Sequence, residues 1–184
     1  MTGPTDRFDG RVVLVTGAGS GIGRAAATLF AERGAAIIAA DRDKTAIETV
    51  EQIEAAGGAA TFVQADVADE AQVAEMVDAA VTLYGGLDIA FNNAGIAPPI
   101  RPIEEFRTDR WDQAQAINLR GIWLCLKYEL AVMVPRGRGT IVNTSSVAGL
   151  RGLPGSAAYA AAKHGVIGLT KSAAAEHGRH GIRI

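Results

Sequence analysis

"RVVLVTGAGSGIG", residues Arg11 to Gly23, joins a short β-branched run to a glycine-rich turn. Val12 to Val15 is nearly continuous apolar sequence, which suits a strand buried on both faces by helices. In "TGAGSGIG", Thr16 to Gly23, the glycines at 17, 19, 21 and 23 fall two apart, a spacing unlike the G-x-G-x-x-G dinucleotide fingerprint. Glycines there let the backbone turn sharply and approach a ligand. The helix expected to follow, from about Gly21 to Gly34, offers unpaired N–H groups and a positive dipole end to a pyrophosphate. Taken alone, the run also reads as a glycine-rich turn with no ligand.

Outward from this start, "AAIIAAD", Ala35 to Asp41, completes a βαβ unit, and the alternation continues. Helices are expected near 44–56, 69–84, 108–133 and 156–179. Strands are expected at 60–66, 87–95 and 139–146, with a sixth begun near 181–184. Short apolar strands alternating with helical runs predict an α/β fold, a doubly wound parallel sheet in a three-layer α/β/α arrangement. With 184 residues and no linker-like or repeated stretch, a single domain over 1–184 is expected.

The chain is 48% hydrophobic and 21% charged, with a net charge of -2 and a pI near 5.9. No general electrostatic pull toward nucleic acid or an anionic membrane follows from that balance. The opening "MTGPTDRFDG" has no apolar core of the signal-peptide kind, and no window holds 18 uninterrupted apolar residues. A cytoplasmic protein, neither secreted nor membrane-spanning, is the expectation. The one cysteine, Cys125 in "IWLCLKYEL", reads as a small core residue in a reducing compartment. His164, His177 and His180 have no carboxylate or cysteine companions at ligand spacing, so no metal is expected.

Asp41 ends the second strand 18 positions after Gly23, close to where a dinucleotide site places an acid against ribose hydroxyls. A carboxylate there accepts hydrogen bonds from the adenosine 2′-OH and repels a 2′-phosphate, which favours NAD over NADP. Arg42 softens that preference, and Ser20 adds no cation to the loop. Tyr159 and Lys163 in "YAAAK" stand four residues apart and share one helical face, so they can act together. A surface helix carrying an aromatic and a charge would show the same pair, and only context gives it chemistry.

In order, "TGAGSGIG", "DV" at Asp66 and Val67, "NNAG" at Asn92 to Gly95, Asn118, "SS" at Ser145 and Ser146, and "YAAAK" resemble the short-chain dehydrogenase/reductase family in order and spacing. The resemblance spans residues 11–184 and is to the family's NAD(H)-dependent alcohol, polyol and hydroxysteroid dehydrogenases. It implies a Rossmann-like fold and hydride transfer between NAD(H) and a secondary alcohol or ketone. Tyr159 is then the acid/base, Lys163 its partner and a contact to the nicotinamide ribose, Ser146 the substrate-orienting hydroxyl, and Asn118 the holder of a relay water. Ser146 is preferred to Ser145 because it stands 13 residues before Tyr159, the usual separation in the family. The cofactor-binding set implied is Gly17, Ser20, Gly21, Ile22, Gly23, Asp41, Arg42, Asp66, Val67, Asn93, Ala94 and Gly95, with Tyr159 and Lys163. Asp66 and the Val67 backbone would lie near the adenine, and Asn92 to Gly95 would line the cofactor at the fourth strand's end. The chemistry explains the residue types: a free phenol keeps its proton until about pH 10, so a tyrosine base needs a cation beside it.

The partners implied are a small-molecule alcohol or ketone and further copies of the chain, in a homo-oligomer (tetramer or dimer) that pairs helices 108–133 and 156–179. "IAPPIRPI", 96–103, and "AGLRGLPG", 148–155, are expected to flank an apolar substrate rim, with Arg101 and Arg151 nearby. Relative to the family, the chain is expected to be C-terminally incomplete, with the sixth strand begun near 181–184 and the substrate-lid segment absent. Two other readings remain open. An NADP-dependent ketoacyl-type carbonyl reductase is opposed by Asp41 and Ser20, and a catalytically silent nucleotide-binding protein is favoured by the short C-terminus.

Overall fold

The computed structural model describes residues 7–184; positions 1–6 of the polar opening, read above as lacking a signal peptide, lie outside the described residues. Six parallel strands, β1 (Val12–Thr16), β2 (Ala36–Asp41), β3 (Ala59–Gln64), β4 (Ile89–Asn92), β5 (Gly139–Asn143) and β6 (Ile182–Arg183), form one sheet in the order β3-β2-β1-β4-β5-β6. They are connected by α1 (Gly21–Glu32), α2 (Ala46–Ala55), α3 (Glu70–Tyr84), α4 (Thr108–Gln115), α5 (Gly121–Arg136) and α6 (Ala157–His177). This is the doubly wound parallel sheet expected from the sequence.

Side chains alternate across a strand, so β1 feeds two cores. Val12 and Leu14 join Ile38, Met76, Leu124 and Ile141 under α3, α5 and α6, while Val13 and Val15 join Ile37, Ala27 and Ile53 under α1 and α2. Each such Val, Leu or Ile contributes roughly 1.5–3 kcal/mol on full burial, and this is why a five-residue strand can anchor three layers. β1 pairs with β2 through Val12↔Ala36 to Thr16↔Ala40 and with β4 through Val13↔Ile89 to Val15↔Phe91. The winding reverses between β1 and β4, which opens a crevice at their carboxyl ends.

Four elements differ from the sequence reading. β4 and β5 stop at Asn92 and Asn143, earlier than expected, and the residues beyond leave the sheet as loops that carry candidate site groups. The helix expected over 108–133 is three pieces: α4, a π-helical turn at Ala116–Arg120, and α5, which runs on through Pro135 and ends at Gly137 in the left-handed region, φ 64°. α6 closes in a 3-10 turn at Gly178–His180. Cys125 is buried in the first core as expected, and burial pushes its thiol well above the ordinary range.

Candidate active site

The turn after β1 depends on glycine at two touching positions. Gly17 has φ +69°, and a Cβ on Gly23 would collide with the Gly17 carbonyl, so α1 can begin this close to the strand only without side chains there. Ser20 caps α1 in extended geometry, but its side chain takes no hydrogen bond from the first turn. The leading N–H groups and the positive helix end therefore face outward.

Asp41, at the tip of β2, folds its carboxylate back toward this loop. Oδ2 accepts the Gly19 N–H at 2.9 Å and Oδ1 accepts the Asp43 N–H at 3.0 Å. From α1, Arg24 donates to the Gly19 carbonyl at 2.5 Å and to Glu48 at 3.0 Å. The buried Thr16 hydroxyl accepts the Asn93 N–H at 2.9 Å and the Ala94 N–H at 3.0 Å, while Asn93 Nδ2 donates to the Thr16 carbonyl at 3.2 Å. One hydroxyl thus fastens the loop after β4 to the end of β1.

A cleft of about 190 Å³ is lined by Ser20, Asp41, Arg42, Asp66, Val67, Ala94 and Gly95 from the expected set, joined by Asp43, Ala65, Ile96 and Ile117. Three carboxylates and one guanidinium give this lining a negative balance, and Arg42 turns its Nε toward Asp43 at 3.3 Å. Gly17, Gly23 and Asn93 lie outside the lining and meet one another, since a Cβ on either glycine would stand against Asn93 Nδ2. At Gly21, φ +50°, a Cβ would meet open space, and the neighbouring Ile22 is exposed. Asn92 departs from expectation: it is fully buried and turned into the core, donating to Glu129 and Asn143.

Tyr159 and Lys163 stand one turn apart on α6, with Lys163 Nζ 5.7 Å from the Tyr159 ring centre. Lys163 is buried, its Nζ donates to the Thr144 carbonyl at 2.6 Å, and burial lowers its pKa below the ordinary lysine value. Ser145 is turned toward the scaffold, where its hydroxyl donates to the Lys163 carbonyl at 2.9 Å. Ser146 opens the short turn Val147–Gly149, and its Oγ accepts the Ala148 N–H at 3.2 Å. Both ends of the Asn118 amide are engaged by Ile96, with Oδ1 accepting the Ile96 N–H at 2.8 Å and Nδ2 donating to the Ile96 carbonyl at 2.9 Å. Asn118 therefore joins the π turn to the wall of the cleft.

Sequence reasoning missed Thr16, Arg24, Thr144 and Glu129. A threonine closing an apolar strand and a glutamate inside "IWLCLKYEL" were visible signals; the roles of Arg24 and Thr144 depend on contacts made only in the fold. Among the described residues, no group of three or more His, Cys, Asp or Glu side chains is arranged to hold a metal ion, and no helix is long and apolar enough to cross a membrane.

A family model described as short chain dehydrogenase matches residues 11–184. Levodione reductase of Leifsonia aquatica is 46% identical over 184 residues, covering 98% of this chain and 69% of that protein. A solved structure of a levodione reductase superposes with a TM-score of 0.93 at 45% identity, covering 97% of this chain and 70% of that one. A 2,5-dichloro-2,5-cyclohexadiene-1,4-diol dehydrogenase of Sphingobium indicum is 45% identical over 178 residues, 96% of this chain and 70% of that protein. Carveol dehydrogenase from Mycobacterium avium, solved in complex with NAD, gives a TM-score of 0.93 at 36% identity over 98% of this chain and 70% of that one.

Proposed function

The chain belongs to the short-chain dehydrogenase/reductase family, whose members here are oxidoreductases acting on CH–OH groups, and on that premise we propose that it interconverts a secondary alcohol and its ketone with NAD(H), using Tyr159 as acid/base. The observation that carries the reading is Lys163. It is a buried ammonium bonded to a carbonyl, with no carboxylate partner among the described residues, on the same helix face as a phenol.

The residues fit a dinucleotide. The glycine junction at 17 and 23 allows close approach, the uncapped start of α1 suits a pyrophosphate, and the cleft beside Asp41 and Asp66 suits an adenosine. Its negative lining opposes a 2′-phosphate, which supports NAD over NADP, and the NAD-bound carveol dehydrogenase agrees. When bound, the nicotinamide accepts or supplies the hydride. Tyr159 takes the hydroxyl proton in oxidation and returns it in reduction, with the Lys163 charge favouring the ionised phenol. Ser146 holds the substrate oxygen by a hydrogen bond. Because the Asn118 side chain is spent on Ile96, a relay water would be held by its backbone carbonyl, since a π turn breaks the regular i→i−4 ladder.

For substrate, we favour an apolar ring alcohol. The loops after β4 and β5 are joined by the Arg101 N–H donating to the Gly155 carbonyl at 3.0 Å, and they expose Ile100, Ile103, Leu150 and Leu153. The cyclohexadienediol dehydrogenase named above is consistent with that rim. A homo-oligomer and a cytoplasmic location complete the proposal. The first is supported by an apolar hollow of about 540 Å³ on α4, α5 and α6 lined by Trp111, Leu119, Trp123 and Leu169, the second by the single buried cysteine. Incubation with NAD and a secondary alcohol deuterated at the carbinol carbon tests the chemistry. Deuterium recovered in the reduced cofactor is expected, and NAD binding with no transfer from any alcohol class would leave a nucleotide-binding protein.

A further inference from the structure

Beneath the candidate site, a polar chain crosses four elements, buried at Glu129 and Asn92 and half-buried at Asn143 and Thr170. Glu129 on α5 is fully buried, and its Oε2 accepts Asn92 Nδ2 at 3.0 Å. Asn92 Nδ2 also donates to Asn143 Oδ1 at 3.0 Å, and Asn143 Nδ2 donates to Thr170 Oγ1 on α6 at 3.0 Å. Asn92 and Asn143 close β4 and β5 and are register partners. One residue further on, the Thr144 N–H donates to the Asn92 carbonyl at 2.9 Å, and the Thr144 carbonyl receives Lys163 Nζ. Lys163 and Thr170 lie two turns apart on one face of α6, so the end of β5 holds that helix at two points.

A carboxyl group is a costly way to fill a core position that leucine would fill without desolvation, so its presence calls for a role in the polar chain. Burial raises the Glu129 carboxyl to about 8 against the opposing Asn92 hydrogen bond, which favours the protonated acid at neutral pH. Its Oε1 and Asn92 Oδ1 are buried without a partner among the described residues. A protonated carboxyl supplies the donor that an amide oxygen needs, so an acid–amide pair can satisfy both ends.

Resting on the Tyr159–Lys163 reading above, we infer that Glu129 is a positioning residue: through Asn92 it fixes the end of β5, and so the Thr144 carbonyl that receives the Lys163 ammonium. NMR titration of labelled lysine side chains in the cofactor-free protein reads Lys163 without any turnover. In Glu129→Leu, displacement of the acceptor is expected to lower the Lys163 midpoint by about half a pH unit or more. Glu129→Gln, whose carboxamide can repeat both bonds to Asn92, is expected to restore it. Thr170→Val cuts the far end of the chain, is expected to shift Lys163 the same way, and serves if Glu129→Leu does not fold. With turnover measured, kcat is expected to fall about tenfold with the KM for NAD nearly unchanged, a loss of reacting-state rather than cofactor binding. A Lys163 midpoint that stays put in folded Glu129→Leu or Thr170→Val overturns the inference. A wild-type chain that turns over no alcohol while Lys163 shifts as expected supports it and rejects the oxidoreductase reading instead.

Discussion

Burial loosens the proton on Lys163, while the Thr144 carbonyl at 2.6 Å supports the charged form. The resulting cation is not spent on a carboxylate among the described residues. The Tyr159–Lys163 spacing was legible because i and i+4 share a helix face, but the carbonyl that holds Lys163 was not, since it sits 19 residues earlier at the end of another element. The place of Asp41 at a strand end was legible; its hold on the Gly19 N–H was not. Asp41→Ala should weaken both cofactors by loosening the loop, and should weaken NAD by about a further tenfold, so the NAD-to-NADP affinity ratio from calorimetry falls. A ratio equal to wild type would place cofactor choice elsewhere. Glu129 supplies a pH prediction. The unfolded chain ionises this carboxyl above about 4.5, whereas the folded one keeps it protonated to about 8. Its contribution to stability is therefore complete below the lower value and is lost as pH rises through the window, at roughly 1.4 kcal/mol per unit. Glu129→Gln does not titrate, so its Tm should gain on wild type between about pH 5 and pH 8, and a constant difference would contradict the assignment.

Among the elements, α3 shows how a helix start also shapes the cleft. Asp69 accepts the Ala71 and Gln72 N–H groups at 2.9 and 3.2 Å, and the Gln72 side chain reaches back to the Asp66 N–H at 2.9 Å. Asp69→Ala should cost about 1 kcal/mol in urea unfolding, and it should loosen Asp66 on the cleft wall. The α3 helix was expected from residue 69 and begins at Glu70 with Asp69 as its cap, whereas the separate start of α5 at Gly121 was not foreseen. The interior of the 108–136 segment was not readable, because a single π turn is too short for a helical period in the sequence to resolve. Asn118, a mediocre helix former, was its only local mark. β4 and β5 were overextended for a related reason. Asn92 and Asn143 end the sheet through side-chain bonds to Glu129 and Thr170, contacts a single strand's sequence does not contain.

Across the whole molecule, the alternation of apolar strands and helices was enough to give the sheet, and Val12 to Val15, buried on both faces, fixed its centre. What the pattern left open was which outer surfaces stay apolar. Trp111 and Trp123 are partly exposed around the hollow on α4, α5 and α6. If that face joins copies of the chain, Trp123→Glu should lower the mass seen by light scattering while leaving far-UV circular dichroism intact; an unchanged mass would exclude Trp123 from the interface. The central claim is that one phenol on α6 moves the proton while NAD takes the hydride. It is tested most directly by comparing wild type with Tyr159→Phe, following NADH absorbance with a ring secondary alcohol and measuring NAD affinity on the same samples. The expected result is turnover in wild type, a loss of about 10²–10⁴-fold in kcat for Tyr159→Phe, and NAD affinity within a few-fold of wild type. Equal turnover in the two proteins would contradict the account.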